Sequence, residues 1–144
     1  MKRLLVIEDG HEYEEFARLF LAHAFEIHCA HGIDEALAVL SDTEVDGFLL
    51  DLRFDRADTG SITGDIEATA ERLFAGDRSR AVSYLKDNQG VLILAELRRA
   101  GCDQPAVFVH DFAPLKMKNL TNLYGNVKAV PSFDAASIYR ALEE

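Results

Sequence analysis

The chain has 144 residues, of which 25 are acidic and 15 basic, giving a formal net charge of −10, and 49% are hydrophobic. This length and apolar content fit one domain with a buried core and exclude a disordered chain. The acidic balance excludes non-specific nucleic-acid binding, which needs surplus Lys and Arg. No apolar run reaches the ~20 residues of a membrane helix, and the N-terminus lacks a signal-peptide pattern. Two cysteines without a disulfide pattern predict a protein of the reducing cytoplasm.

Short apolar runs alternate with helical patterns along the chain, which is typical of an α/β protein with a mainly parallel sheet. The apolar runs predict strands at residues 3–7, 26–30, 47–50, 106–109 and 127–130. Helices are predicted at residues 11–24, after a cap at Asp34, at residues 90–100, at residues 114–124 and after a cap at Asp134. Because crossovers between parallel strands are right-handed, this order predicts a flavodoxin-like, doubly wound fold of three layers with strand order 2-1-3-4-5.

One long segment, at about residues 54–89, separates the third strand from the helix that follows it, where a few residues would suffice. Helical spacing predicts one or two helices within this insertion, over residues 66–74 and 81–86. We therefore expect residues 1–144 to form a single domain with a helical insertion whose role is open. Its apolar side chains should cover the neighbouring helices; they are Ile66, Leu73, Phe74, Val82 and Leu85.

Three carboxylates follow two of the predicted strands. Glu8 and Asp9 come directly after the first strand, and Asp51 comes directly after the third. Strands 1 and 3 are neighbours in the predicted sheet, so these side chains should meet in the crevice at the carboxyl ends of the strands. Because like charges repel, such a group indicates a bound cation, a carboxyl that keeps its proton, or a site of chemistry. The alternative interpretation is three solvated loop carboxylates.

With these carboxylates placed, the chain resembles the receiver domain of bacterial two-component response regulators. The residues that carry the resemblance are 5–9 (LVIED), 32–37 (GIDEAL), 46–53 (DGFLLDLR) and 90–99 (GVLILAELRR). The resemblance implies that Asp51 accepts a phosphoryl group from a histidine kinase or a phosphotransfer protein. It also implies that Mg²⁺ is held by Glu8, Asp9, Asp51 and the backbone carbonyl of Arg53. Such a domain is a signalling module and not an enzyme.

The chain departs from the receiver pattern at three positions, one of which is the aromatic position of strand 5, where Val127 stands. The Ser or Thr expected at the end of strand 4 is His110, followed by Asp111, and the Lys expected before Pro131 is Val130. Lys128 lies two residues earlier. His110 is interpreted as an ordinary loop residue, with a hydrogen-bond donor to the phosphoryl group, or a metal ligand, as the alternative. Other basic residues are candidates to replace the missing Lys: Arg53, Arg56, Lys86, Lys116 and Lys118.

Three functions follow from these patterns. The first is an atypical stand-alone receiver that acts by protein–protein interaction through a downstream partner, since no effector domain fits after Glu144, with Asp51 as phosphoacceptor. The second is a pseudo-receiver, an interaction module that is not phosphorylated. A remote third is a Toprim-like metal-dependent nucleic-acid enzyme, although Arg53 stands where that fold needs a second Asp and only Asp55 follows. Resemblance to receivers also implies a homodimer through the fourth helix, fifth strand and last helix.

Overall fold

Five parallel strands form the central sheet of the computed structural model, which describes residues 1–131 and 133–143. The strand order is β2-β1-β3-β4-β5, so the predicted flavodoxin-like topology is confirmed. All four strand pairs are parallel. The strand bounds are within one residue of the prediction: β1 Lys2–Ile7, β2 Phe25–Ala30, β3 Gly47–Leu50, β4 Ala106–Phe108 and β5 Val127–Ala129.

Seven α-helices flank the sheet in the part of the chain that the structure describes. They are α1 Glu12–Phe20, α2 Ile33–Asp42, α3 Ile66–Leu73, α4 Arg78–Asp87, α5 Gln89–Arg99, α6 Pro114–Tyr124 and α7 Ala135–Glu143. None of these helices is long and apolar enough to cross a membrane.

Two of the predicted helix boundaries are wrong. Helix α1 ends at Phe20, not at residue 24, because the chain turns there, with the Phe25 amide donating to the Leu21 carbonyl at 3.0 Å. Asp34 does not cap α2: the cap is Gly32, and Asp34 lies in the first turn, where a carboxylate suits the helix dipole. The cap at Asp134 is confirmed, since its carboxylate accepts from the Ser137 amide at 3.2 Å.

The sheet separates two apolar cores, which gives the predicted three layers. Alternate residues of β1 point to opposite faces. Leu5 and Ile7 pack in one core with residues of α2 and α5, and Leu4 and Val6 pack in the other with residues of α1 and α7. Packing of helices on both faces leaves the carboxyl ends of the strands as the open edge of the fold.

The insertion contains a 3₁₀ turn, Thr59–Ser61, followed by α3 and α4, which contact each other. The prediction of one or two helices is therefore confirmed. Leu85 is buried as expected, and the expectation for Leu73 is wrong, because 56% of its surface is exposed. The buried residues of α3 and of the first half of α4 are the small Ala70 and Ala81. Leu73 is not among the buried residues of α3.

Helix α4 begins three residues earlier than the apolar spacing predicted, because the Asp77 carboxylate caps it. This carboxylate accepts from the Arg80 amide at 3.1 Å, and Asp65 caps α3 in the same way through the Ala68 amide at 3.0 Å. Neither cap was predicted. A Ser, Thr, Asp or Asn at this position satisfies one of the unpaired amides of the first helical turn.

The Asp77→Ala variant is expected to lower the free energy of unfolding by about 1 kcal/mol, because it removes this cap. Asp58→Ala is the matched control: Asp58 precedes the 3₁₀ turn but its side chain makes no capping hydrogen bond. Urea unfolding followed by circular dichroism measures both variants. Equal stability of the Asp77→Ala variant and the wild type would mean that α4 does not unfold with the rest of the protein.

Candidate functional site

A cleft of about 310 Å³ opens at the carboxyl ends of β1, β3 and β4. Backbone hydrogen bonds continue the sheet into its floor: the Asp51 amide donates to the Ile7 carbonyl at 3.0 Å, and the Val109 amide donates to the Leu50 carbonyl at 3.2 Å. The sheet therefore fixes the backbone of Asp51. The residues that line the cleft are Asp9, Tyr13, Asp51, Leu52, Arg53, Asp55, Arg56, Val109 and His110.

Asp51 is half-buried in this cleft, and its environment disfavours the ionised form. Burial, together with the negative charges of Asp9 and Glu8, raises the pKa of the Asp51 carboxyl to about 7. Hydrogen bonds from the amides of Arg53 and Leu52 oppose this effect in part. A large share of the molecules consequently carries a proton on Asp51 at neutral pH.

Glu8 is 1% exposed and faces helix α1. One carboxylate oxygen accepts from the Tyr13 amide at 3.0 Å and the other from the Glu14 amide at 2.8 Å, so Glu8 binds the first turn of α1. Burial raises the pKa of Glu8, and these two hydrogen bonds lower it in part. Glu8 does not line the cleft, although its charge acts on Asp51.

Two arginines bring positive charge to this acidic cleft. The Arg56 amide donates to the Asp9 carboxylate at 2.7 Å, and the Arg56 guanidinium forms a salt bridge with Glu12. Burial lowers the pKa of the His110 imidazole. The positive charge of Arg53 adds to this shift, and the negative charge of Asp111 opposes it. At neutral pH His110 is therefore mainly uncharged.

His110 also lines a second cleft, between β5, α6 and α7. Asp111 and Lys128 line this second cleft and not the one that holds Asp51. Of the three residues predicted as accessory, only His110 is thus brought to Asp51. No lysine lines the Asp51 cleft within residues 1–131 and 133–143.

Tyr13 belongs to the cleft and was not predicted from the sequence. Burial, together with the charges of Asp51, Glu8 and Glu12, raises the pKa of the Tyr13 hydroxyl to about 12. Its ring stacks on Phe133 at 4.8 Å between centroids. The sequence signal that could have found Tyr13 is its place in the first turn of the helix that follows the acidic pair.

The groups that face Asp51 fit a hard divalent cation. Asp9 and Asp51 line the cleft with carboxylate oxygens, and Mg²⁺ is commonly bound by one or two carboxylates while it keeps several waters. Burial is the main cause of the raised pKa of Asp51, and the charges of Asp9 and Glu8 add a repulsion that a cation would offset. In the described part of the chain, no three His, Cys, Asp or Glu side chains group closely enough to hold a metal alone, even though Asp55 also lines the cleft.

Solved structures share this architecture. A two-component response regulator from Clostridium difficile has a TM-score of 0.65 at 13% identity, over 99% of this chain and 93% of that one. The CheY-like receiver domain protein from Methanospirillum hungatei has a TM-score of 0.62 at 13% identity, over 99% and 91%. The fold matches along nearly the whole chain. The chain has the fold of a receiver domain.

The receiver fold confirms the resemblance in architecture that residues 5–9 and 46–53 had indicated. A third structure, the response regulator TrrA from Thermotoga maritima in complex with Mg²⁺ and BeF, has a TM-score of 0.61 at 16% identity, over 99% of this chain and 97% of that one. No protein-family model and no curated protein sequence matches the chain. The evidence for the roles of individual residues therefore comes from the geometry of the Asp51 cleft.

Proposed function

We propose that the chain is an atypical receiver of two-component signalling, in which Asp51 accepts a phosphoryl group and thereby changes the binding of a downstream protein. The observation that carries this proposal is the position of Asp51, a half-buried carboxyl at the end of β3 beside Asp9 and two arginines. Functional sites are where burial and like charges shift a pKa this far. The phosphoryl donor would be a histidine kinase or a phosphotransfer protein.

In the proposed step, an ionised oxygen of Asp51 attacks the phosphorus of a phosphohistidine on the donor protein. The new O–P bond forms as the P–N bond breaks, and the leaving imidazole nitrogen keeps the electrons of that bond and takes a proton from solvent. Asp9, Asp51 and the carbonyl of Arg53 would hold Mg²⁺, with Glu8 contributing its charge from the first turn of α1. Bound there, Mg²⁺ would neutralise the charge that develops on the phosphoryl oxygens.

The protonation of Asp51 links this chemistry to the binding of a cation. Asp51 must lose its proton to act as a nucleophile, and its pKa of about 7 makes that loss sensitive to any cation that binds nearby. The amides of Leu52 and Arg53 donate to its carboxylate and orient it. His110, mainly uncharged, stands at the rim as a hydrogen-bond donor.

The test is an amide NMR spectrum recorded with Mg²⁺ and beryllofluoride, a phosphoryl mimic. We expect shifts centred on residues 51–56 that are absent in the Asp51→Asn variant. Asp42→Asn is the matched control: it removes one exposed carboxylate at the end of α2 and should leave the response intact. TrrA, which was solved with Mg²⁺ and BeF, supports the choice of probe.

The alternative is a pseudo-receiver that binds partners without phosphorylation. The observation in its favour is the cleft lining, in which His110 replaces the expected hydroxyl and no described lysine is present, Lys128 lying in the second cleft. A spectrum that does not change with millimolar Mg²⁺ and beryllofluoride would contradict phosphorylation and support this module.

A further inference from the structure

We propose that Arg56 binds the phosphoryl group on Asp51, and that Glu12 holds the Arg56 guanidinium until that group is present. The role of Arg56 rests on the proposed phosphorylation of Asp51. In this arrangement an arginine of the loop after β3 supplies the positive charge that a Lys in place of Val130 would supply. Binding of the phosphoryl group would release Glu12, at the start of α1, from its salt bridge.

The backbone fixes Arg56 beside the carboxylates. The Arg56 amide donates to the Asp9 carboxylate at 2.7 Å, although the two residues are 47 positions apart in the sequence. Arg56 is therefore held next to Asp9, which lines the same cleft as Asp51. The guanidinium lies over Gly10, where a Cβ atom would overlap both it and the Glu12 carboxylate. The absence of a side chain at Gly10 therefore leaves space for the contact between Arg56 and Glu12.

The salt bridge with Glu12 can be exchanged at low cost. The side chains of Arg56 and Glu12 are 63% and 53% exposed, and such surface pairs contribute about 0–1 kcal/mol. A phosphoryl group carries about two negative charges and accepts two parallel hydrogen bonds from a guanidinium. It is therefore the stronger partner, and Asp9 and Glu8 already attract the same guanidinium.

Arg53 is less suited to this role. The charge of Arg53 acts on His110 at the β4 side of the cleft, whereas the charge of Arg56 acts on Asp9 and Glu8. Arg53→Gln is consequently the matched control for Arg56→Gln, since both remove one guanidinium from the same cleft.

The experiment is a beryllofluoride titration at saturating Mg²⁺, followed by amide NMR, with a separate titration of Mg²⁺ alone. We expect Arg56→Gln to weaken beryllofluoride binding by about 10-fold or more, Arg56→Lys by less, and Arg53→Gln by about 3-fold at most. Glu12→Gln should tighten it about 2-fold by freeing Arg56. Binding of Mg²⁺ alone should strengthen slightly in Arg56→Gln, because a positive charge is lost.

In Arg56→Gln the affinity for Mg²⁺ and the affinity for beryllofluoride should change in opposite directions. That pattern distinguishes the loss of a charge contact from a distorted cleft. A wild-type protein that does not respond to beryllofluoride would overturn both the proposed function and the role of Arg56. A normal wild-type response with unchanged affinity in Arg56→Gln would overturn the role of Arg56 alone. Equal weakening of Mg²⁺ and beryllofluoride binding in Arg56→Gln would also overturn it, because that pattern reports a distorted cleft.

Discussion

Gly90→Ala is expected to lower the free energy of unfolding by about 3 kcal/mol, since α5 approaches the backbone after β3 too closely for any side chain. A Cβ atom at Gly90 would overlap the carbonyl oxygen of Asp51 and lie 3.0 Å from the Cα of Leu52 and from the ring of Phe108. Two of these three neighbours are backbone atoms held by the sheet, so they cannot move aside cheaply. The Gly90 amide also donates to the Leu52 carbonyl at 2.9 Å, a bond that a shift of α5 would break.

Urea unfolding of Gly90→Ala against Gly60→Ala measures this effect. Nothing lies within 4 Å of a Cβ atom built at Gly60, which is exposed, so that control should stay within about 0.5 kcal/mol of the wild type. The strained variant should also show shifted amide resonances for residues 51–54, because the overlap falls on the backbone of Asp51. A Gly90→Ala variant as stable as the control would mean that α5 lies farther from β3 than described.

The meeting of Asp9 and Asp51 could be predicted from the sequence because it depends on topology alone. Each residue follows a buried apolar run, and parallel neighbouring strands end at the same edge of a sheet. The direction in which Glu8 points depends on a finer pattern. Leu4 and Val6 face the core that α1 covers, so the alternation of β1 directs the next even residue, Glu8, to α1 as well.

The sequence could not show which basic side chains reach the cleft. Of the five candidates, Arg53 and Arg56 line it, and Arg56 contacts Glu12 across 44 residues and Asp9 across 47. Such contacts depend on how the insertion leaves β3, which no local pattern encodes. The exposure of Leu73 has a similar cause: helical spacing indicates an apolar face, whereas the packing of α3 on α4 decides how much of that face is buried.

The protonation of Asp51 makes the stability of the protein depend on pH in a direction opposite to that of a salt-bridged carboxylate. The pKa of this carboxyl is about 7 in the folded protein against an ordinary value of 3.8. Between these values the folded protein binds one more proton than the unfolded chain, so stability falls as the pH rises from about 4 to about 7 and stays lower above. The ionised, buried Asp51 thus costs folding free energy at pH 8.

Asp51→Asn is therefore expected to be more stable than the wild type at pH 8, by about 2 kcal/mol. The full difference in pKa corresponds to about 4 kcal/mol, and solvent that reaches the cleft screens about half of it. Asparagine keeps an acceptor for the amides of Leu52 and Arg53 and removes the charge that repels Asp9 and Glu8. Urea unfolding at pH 4, 6 and 8 measures the gain, which should be near zero at pH 4.

Mg²⁺ should also change the stability of the wild type, because it favours the ionised form of Asp51. A cation bound by Asp9 and Asp51 favours the ionised carboxyl, so it should stabilise the wild type at pH 8 and do so less at pH 6, where a proton competes for Asp51. It should not stabilise Asp51→Asn. Asp42→Asn is the control for the loss of one surface charge. An Asp51→Asn variant that is no more stable than the wild type at pH 8 would mean that the charges of Asp9 and Glu8 do not destabilise the ionised Asp51. The cleft would then lack the repulsion between carboxylates that a bound cation could relieve.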